Sequence, residues 1–204
     1  MTIRFAFALG ALIAQPLLSQ ATQQAAPPPT DIVKVAIDTS AGRILVAVDK
    51  GKAPKTAGNF LKYVDSERFN GESFYRAMPY GEGEGLIQGG ITSDTRKLYP
   101  PIAHEPTTET GLKHVAGTLS VARAAPGTAR ADFFILTTDI PGFDADPSRS
   151  VEPAGYAAFG QVIEGMEVVR RIFTSPLSKT KGEGAMKGQM LDPVVKITSA
   201  ARIN

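Results

Sequence analysis

The stretch GESFYRAMPYGEGEGLIQGG, Gly71 to Gly90, holds two short apolar runs on either side of a turn-forming loop. Phe74 to Met78 and Leu86 to Gly90 each suit a strand, and Pro79 with the glycines after it suits a connection that reverses the chain. The first run contains Arg76, a permanently charged guanidinium among apolar and aromatic neighbours, and the second carries Gln88. Such an arginine either lies on a solvated face or points at something. Taken alone, a surface or structural role is its default reading.

The rest of the chain reads as more of the same structure. Ile32 to Asp38 places Val33, Val35 and Ile37 on one face, and Arg43 to Asp49 does the same with Ile44, Val46 and Val48. With TSAG between them, these runs predict a β-hairpin. Further strands are predicted over Gly117–Arg123, Asp132–Thr138, Tyr156–Gly165 and Pro193–Ala200. Pro54 opens a helix on which Ala57, Phe60, Leu61 and Val64 share a face, and Met166 to Phe173 makes a second, shorter one. Many short strands, two helices and no internal repeat predict a mainly β fold, a closed barrel or sandwich capped by helices.

A chain of 204 residues that is 43% hydrophobic suits one globular domain. Its start differs from the rest. Arg4, the apolar run FAFALGALIA (Phe5 to Ala14), too short to cross a bilayer as a helix, and the small-residue ending of PLLSQA predict a signal peptide over residues 1–21. TQQAAPPPTD then predicts a disordered, Pro-rich tether over 22–31, ahead of a folded domain over 32–204. The expected location is periplasmic or secreted, with no membrane insertion after cleavage. Without cysteine, no disulfide can form and no lipid attachment site of the lipoprotein kind follows the leader.

Several kinds of chemistry find no support. A net charge of +2 without a basic stripe argues against nucleic acid. Two histidines, His104 and His114, and no cysteine argue against a metal site. Ser73 and Ser120 stand in no nucleophile motif and have no recognisable partner. GEGEG (Gly81 to Gly85) lacks the lysine and the following helix of a phosphate loop, so it reads as surface loop. No cofactor is expected. A reaction that breaks no covalent bond fits what remains.

In chain order, FYRAMP, LIQGG, GTLSVARA, DFFILTT and AFGQVIEGMEVV resemble the cyclophilin family of peptidyl-prolyl cis–trans isomerases, over nearly everything from Val33 to Ala200. PPIAHE and PVVKITSA resemble its exported bacterial branch. The resemblance implies a closed eight-stranded antiparallel β-barrel with a helix at each end. It also implies rotation about the peptide bond before proline, assisting the folding of exported proteins, by an expected monomer acting on proline-containing polypeptides. Arg76 matches the catalytic donor to the prolyl nitrogen, and Gln88 the residue that holds the substrate backbone and steadies the arginine. Phe134 matches the floor of a proline pocket, Leu86 one wall and Phe143 another. Ala122 and Arg123 match a strand edge that pairs with extended peptide. Phe133, next to Phe134, should face the opposite way, into the core.

Some positions depart from the family pattern. The loop after Pro79 is lengthened and Gly85 stands in place of an aromatic residue, which removes one pocket wall unless Tyr80 folds back. Tyr156 stands in place of a histidine and keeps an aromatic edge with a hydrogen-bonding tip. Asp132 replaces a glutamine, and a carboxylate there can pair with Arg76 or Arg123. The chain has no tryptophan, so a weak grip on cyclosporin is expected. Phe143 to Tyr156 reads as a surface loop bordering the site. Gly85 and Asp132 also keep open a second possibility, a proline-peptide-binding or chaperone module with little turnover.

Overall fold

The computed structural model describes residues 31–204. The predicted leader over 1–21 and all but the last residue of the predicted tether lie outside the described residues. Among the described residues are eight strands: β1 (Ile32–Thr39), β2 (Gly42–Asp49), β3 (Ser73–Pro79), β4 (Gly85–Gly90), β5 (Thr118–Val121), β6 (Phe133–Leu136), β7 (Ala157–Glu164) and β8 (Met190–Ile203). All pairings are antiparallel, and the barrel closes in the order β1-β2-β7-β5-β6-β4-β3-β8. Closure leaves the sheet without open edges. The helices are α1 (Pro54–Asp65), α2 (Thr107–Thr110) and α3 (Met166–Phe173). Two helices were expected; α2 is a single turn, too short for a 3.6-residue apolar repeat to show in sequence.

The hairpin of β1 and β2 forms in the register the alternation predicts, with Val35 opposite Val46 and Ile37 opposite Ile44. Helix α1 begins at Pro54, whose missing N–H is no loss at the first helical position. Ala53 offers no side-chain cap there. The Glu105 carboxylate caps the helix from a distant loop instead, accepting from the Lys55 amide at 3.0 Å and the Thr56 amide at 2.6 Å. A negative group at a helix N-terminus meets both the free N–H groups and the positive end of the dipole. Ala57, Phe60, Leu61 and Val64 are all buried, as their spacing predicts. On α3 the buried face is Val168, Val169 and Ile172.

Phe133 and Phe134 fall on opposite sides of β6. Phe133 points into the barrel, with ring centroids 5.3 Å from Phe60, 5.4 Å from Phe69 and 5.6 Å from Phe74, all close to edge-on. Phe134 points outward into a smaller cluster with Leu86, Leu136 and Ile140. β3 breaks the alternation: Phe74 pairs with Gly89 and Arg76 with Gln88, so Tyr75 is an extra residue, a β-bulge. Phe74 therefore enters the core, while Tyr75 and Arg76 both reach the outer groove.

Phe133→Ala removes a ring that three others pack against, and should lower stability by about 3–5 kcal/mol. Urea unfolding followed by circular dichroism checks this. A loss below about 0.5 kcal/mol, the range of ordinary surface substitutions, would show that the aromatic cluster does not hold the barrel.

Candidate active site

The outer faces of β3, β4 and β6, with the chain that follows β5 and the turn at Phe143, enclose a groove of about 860 Å³. Arg76 lines it. Its Nη1 donates to Gln88 Oε1 at 2.8 Å, and its Nε and Nη2 donate to Gln189 Oε1 at 2.9 and 2.6 Å. Two amide oxygens thus fix the guanidinium plane without neutralising it. Burial lowers its affinity for the proton, but from a value so high that the group stays charged at neutral pH. Gln88 is itself buried on β4, directly opposite Arg76 on one side and Phe134 on the other.

The apolar end of the groove is built around Phe134. Phe143 meets it edge-on at 5.7 Å and Tyr156 at 5.5 Å, and these two rings lie 4.8 Å from each other. Leu86 and Met78 close the other sides. Phe143 reaches this position because a single helical turn at Pro141–Phe143 ends where the Tyr156 amide donates to the Phe143 carbonyl at 2.8 Å. Sequence reasoning named Leu86, Phe134, Phe143 and Tyr156, and the fold brings all four together. It missed Met78, Tyr75 and Gln189. Met78 had a signal, since it stands two residues beyond Arg76 on the same strand. Gln189 had none, because it comes from a loop 113 residues away in the chain.

Ala122 and Arg123 follow the end of β5. The Ala122 amide donates to the Asp132 carbonyl at 2.9 Å, while among the described residues the Arg123 amide and carbonyl take no backbone partner. The edge open to an extended peptide is therefore that of Arg123 more than Ala122. The Arg123 guanidinium turns the other way, donating to Glu152 Oε2 at 2.8 Å and the Gly155 carbonyl at 2.5 Å, above the Tyr156 ring. It braces the 144–156 segment against the groove.

Four readings need correction. Asp132 pairs with neither Arg76 nor Arg123; its Oδ2 accepts from the Tyr75 hydroxyl at 3.1 Å, and the bulge in β3 is what puts Tyr75 in between. Gly85 opens no gap in the pocket, because position 85 faces away from it. A Cβ there would strike the Met78 carbonyl and approach the Phe173 ring to 2.9 Å, so the close pairing with β3 requires glycine. Tyr80 does not fold back into the pocket: it is 46% exposed and leans on the outside of Phe143 at 6.3 Å. Ser120, moreover, has a partner after all. His114 Nε2 lies 3.0 Å from its Oγ, and His114 Nδ1 lies 2.8 Å from Asp144 Oδ1.

That row is sealed from any substrate, since Ser120 is 0% and His114 1% exposed. It acts as a support. Ser120 sits directly opposite Phe134, and the imidazole stacks 6.3 Å behind the Phe134 ring and meets Phe143 edge-on. Burial holds His114 below the ordinary imidazole range, so it is neutral at pH 7. Among the described residues, no group of three His, Cys, Asp or Glu side chains could hold a metal ion.

Asp132 is the perturbed acid of the site. Burial pushes its carboxyl up to about 6, with the hydrogen bond from the Tyr75 hydroxyl pulling in the opposite direction. The folded state therefore holds this proton more tightly than the unfolded chain, and its stability falls as pH rises from about 4 to about 6. Asp132→Asn has no such titration. Its stability relative to wild type should improve by about 1–3 kcal/mol between pH 4 and pH 7, measured by urea unfolding at both pH values. A constant difference would mean that the carboxyl is not perturbed.

Comparison with known proteins bears on the family and the fold. The sequence model of the family described as cyclophilin type peptidyl-prolyl cis-trans isomerase/CLD matches residues 33–201. Peptidyl-prolyl cis-trans isomerase A of Dickeya dadantii is 37% identical over 146 residues, 70% of this chain and 72% of the relative. Peptidyl-prolyl cis-trans isomerase B of Escherichia coli is 35% identical over 142 residues, 68% and 81% respectively. A crystal structure of a cyclophilin type isomerase from Cryptosporidium parvum, in the presence of the dipeptide Ala-Pro, superposes with a TM-score of 0.66 at 23% identity, covering 84% of this chain and 99% of that one. At that identity the superposition speaks for the barrel alone.

Proposed function

The chain belongs to the cyclophilin-type peptidyl-prolyl cis–trans isomerase family, and on that premise we propose that it serves exported polypeptides, with Arg76 as the group that lowers the rotational barrier. The reaction is rotation about the bond preceding proline. Its barrier, about 18–20 kcal/mol, is the amide resonance lost when the bond twists, and uncatalysed rotation is slow enough to limit folding. As the bond twists, the prolyl nitrogen becomes pyramidal and recovers a lone pair. A donor aimed at that nitrogen stabilises the twisted form more than either planar one.

The observation that carries the assignment is the fixed, un-neutralised guanidinium beside an aromatic pocket. A proline ring packed against Phe134, between Phe143 and Leu86, brings its nitrogen toward Arg76, while Gln88 and the free backbone edge of Arg123 hold the flanking peptide. Two amide partners orient the arginine and leave its charge available to the substrate. No proton is transferred, so no general base is needed. The reading of an exported client rests on the leader pattern of residues 1–21 and on two motifs, PPIAHE and PVVKITSA, that resemble the exported bacterial branch.

Exchange of a short Xaa-Pro peptide between cis and trans forms should be accelerated by the wild type. Arg76→Ala should lose about 10²- to 10³-fold in kcat/KM with its circular dichroism unchanged, the scale of removing one preorganised donor. Phe134→Ala should act mainly through KM, by about tenfold, as an aromatic anchor of the pocket. Retained turnover in Arg76→Ala would remove the mechanism, and peptide binding without acceleration in wild type would make the protein a peptide-holding module. Cell fractionation tests the export reading: recovery of the processed chain in the cytoplasm would contradict it.

A further inference from the structure

The bulge in β3 leaves Tyr75 turned to the same side as Arg76. Its hydroxyl accepts from Gln88 Nε2 at 2.6 Å and donates to Asp132 Oδ2 at 3.1 Å. Gln88 Oε1 accepts from Arg76 Nη1 at 2.8 Å. Every donor in this row points the same way, from guanidinium to amide to phenol to carboxylate. Groups so aligned polarise one another, and burial keeps water from competing. We infer that Asp132, through Tyr75 and Gln88, is a positioning residue that sets the orientation of Arg76, and that protonating Asp132 slows turnover. The inference rests on the reading of Arg76 as the donor to the prolyl nitrogen.

The carboxyl is held firmly at the end of the row. The Asp132 carbonyl accepts from the Ala122 amide at 2.9 Å, which anchors its backbone beside β5. Its Oδ1 is buried without a hydrogen-bond partner and packs against Gly90, where any Cβ would collide with it. The hydrogen bond from Tyr75 is thus the carboxylate's one side-chain contact of this kind among the described residues. Other charged groups reach the groove from the elements around it. Arg76 and Tyr75 come from β3, Arg123 and Arg130 from the segment between β5 and β6, and Lys196 from β8. Arg123 is committed to Glu152, Lys196 donates to the Gly71 carbonyl, and among the described residues no cation forms an ion pair with Asp132.

Ionised, Asp132 accepts a charge-assisted bond from Tyr75, roughly twice as strong as a neutral one. That bond fixes which way the phenol hydrogen points, and hence which end of the Gln88 amide faces Arg76. Protonated, the carboxyl can itself donate to the phenol oxygen, in competition with Gln88. The amide is then free to turn, and Arg76 keeps only Gln189. The loss is therefore partial. Because burial raises the carboxyl to about 6, both forms are populated in mildly acidic solution.

The test is kcat and KM for a non-ionising Xaa-Pro peptide, over about pH 5 to pH 8, with the wild type, Asp132→Asn, Tyr75→Phe and Arg76→Ala proteins. Wild-type kcat should fall by about three- to tenfold toward the acid end with KM nearly constant, the scale of one charge-assisted bond becoming neutral. The midpoint should lie near 6. Asp132→Asn should be flat across the range, and Tyr75→Phe should be flat and slower throughout. His114 also titrates in acid, below the usual imidazole range, and a midpoint that survives in Asp132→Asn would assign the effect elsewhere and overturn the inference. A flat wild-type profile would overturn it equally. Should Asp132→Asn fail to fold, the Tyr75→Phe profile decides in its place. Arg76→Ala keeps the two readings apart: full activity there removes the arginine's role, whereas collapse there with a midpoint that persists in Asp132→Asn removes only the positioning role.

Discussion

One extra residue in β3 sets the geometry on which the groove depends. On a regular strand Phe74 and Arg76 would share a face, and packing Phe74 into the core would carry the guanidinium in with it. An unpaired buried charge is among the most unfavourable arrangements a core can contain. The bulge at Tyr75 resolves the conflict. Phe74 joins Phe133 inside the barrel, Arg76 emerges opposite Gln88, and Tyr75 turns out beside it. The strand pairing then resumes with Ala77 opposite Ile87, and Ala77 is again buried.

The partners of Arg76 follow a consistent electrostatic logic. A carboxylate in direct contact would orient the arginine but would also cancel much of the field it directs at a substrate. Two amide oxygens orient it and cancel little. The nearest acid in the row, Asp132, stands behind a phenol and an amide, so it can bias the direction of the hydrogen bonds without forming an ion pair with the guanidinium. The same separation lets a titrating group act on a residue that never titrates.

The apolar end is preorganised by different means. Phe134 is supported from behind by a buried, neutral imidazole, which Asp144 and Ser120 hold by its two nitrogens. Asp144 immediately follows Phe143, so one row of hydrogen bonds fixes the floor of the pocket and one of its walls. Arg123 does comparable work at the rim, tying β5 to the segment that carries Tyr156. Rings locked before a ligand arrives lose little freedom when it does.

Alternation, short apolar runs between turn signals and helical spacing were enough, in the sequence alone, to locate every strand and both of the longer helices, while the division of Phe133 from Phe134 followed from the family motif. These are local signals: the period of the backbone appears in consecutive residues, and burial of one face enforces it. Motif order led to Arg76, Gln88, Phe134 and Tyr156 and to the barrel. What sequence could not supply was everything that depends on which strands lie side by side. The bulge at Tyr75 arises from pairing with β4, the contact between Tyr75 and Asp132 spans 57 positions, and Gln189 arrives from 113 positions away. Gly85 read as a missing wall because its side of the strand was unknown, and Ser120 read as unpartnered because His114 reaches it only by folding back beneath Phe134. Residue types are written in the chain, whereas the direction in which each one points is decided by the closing of the barrel.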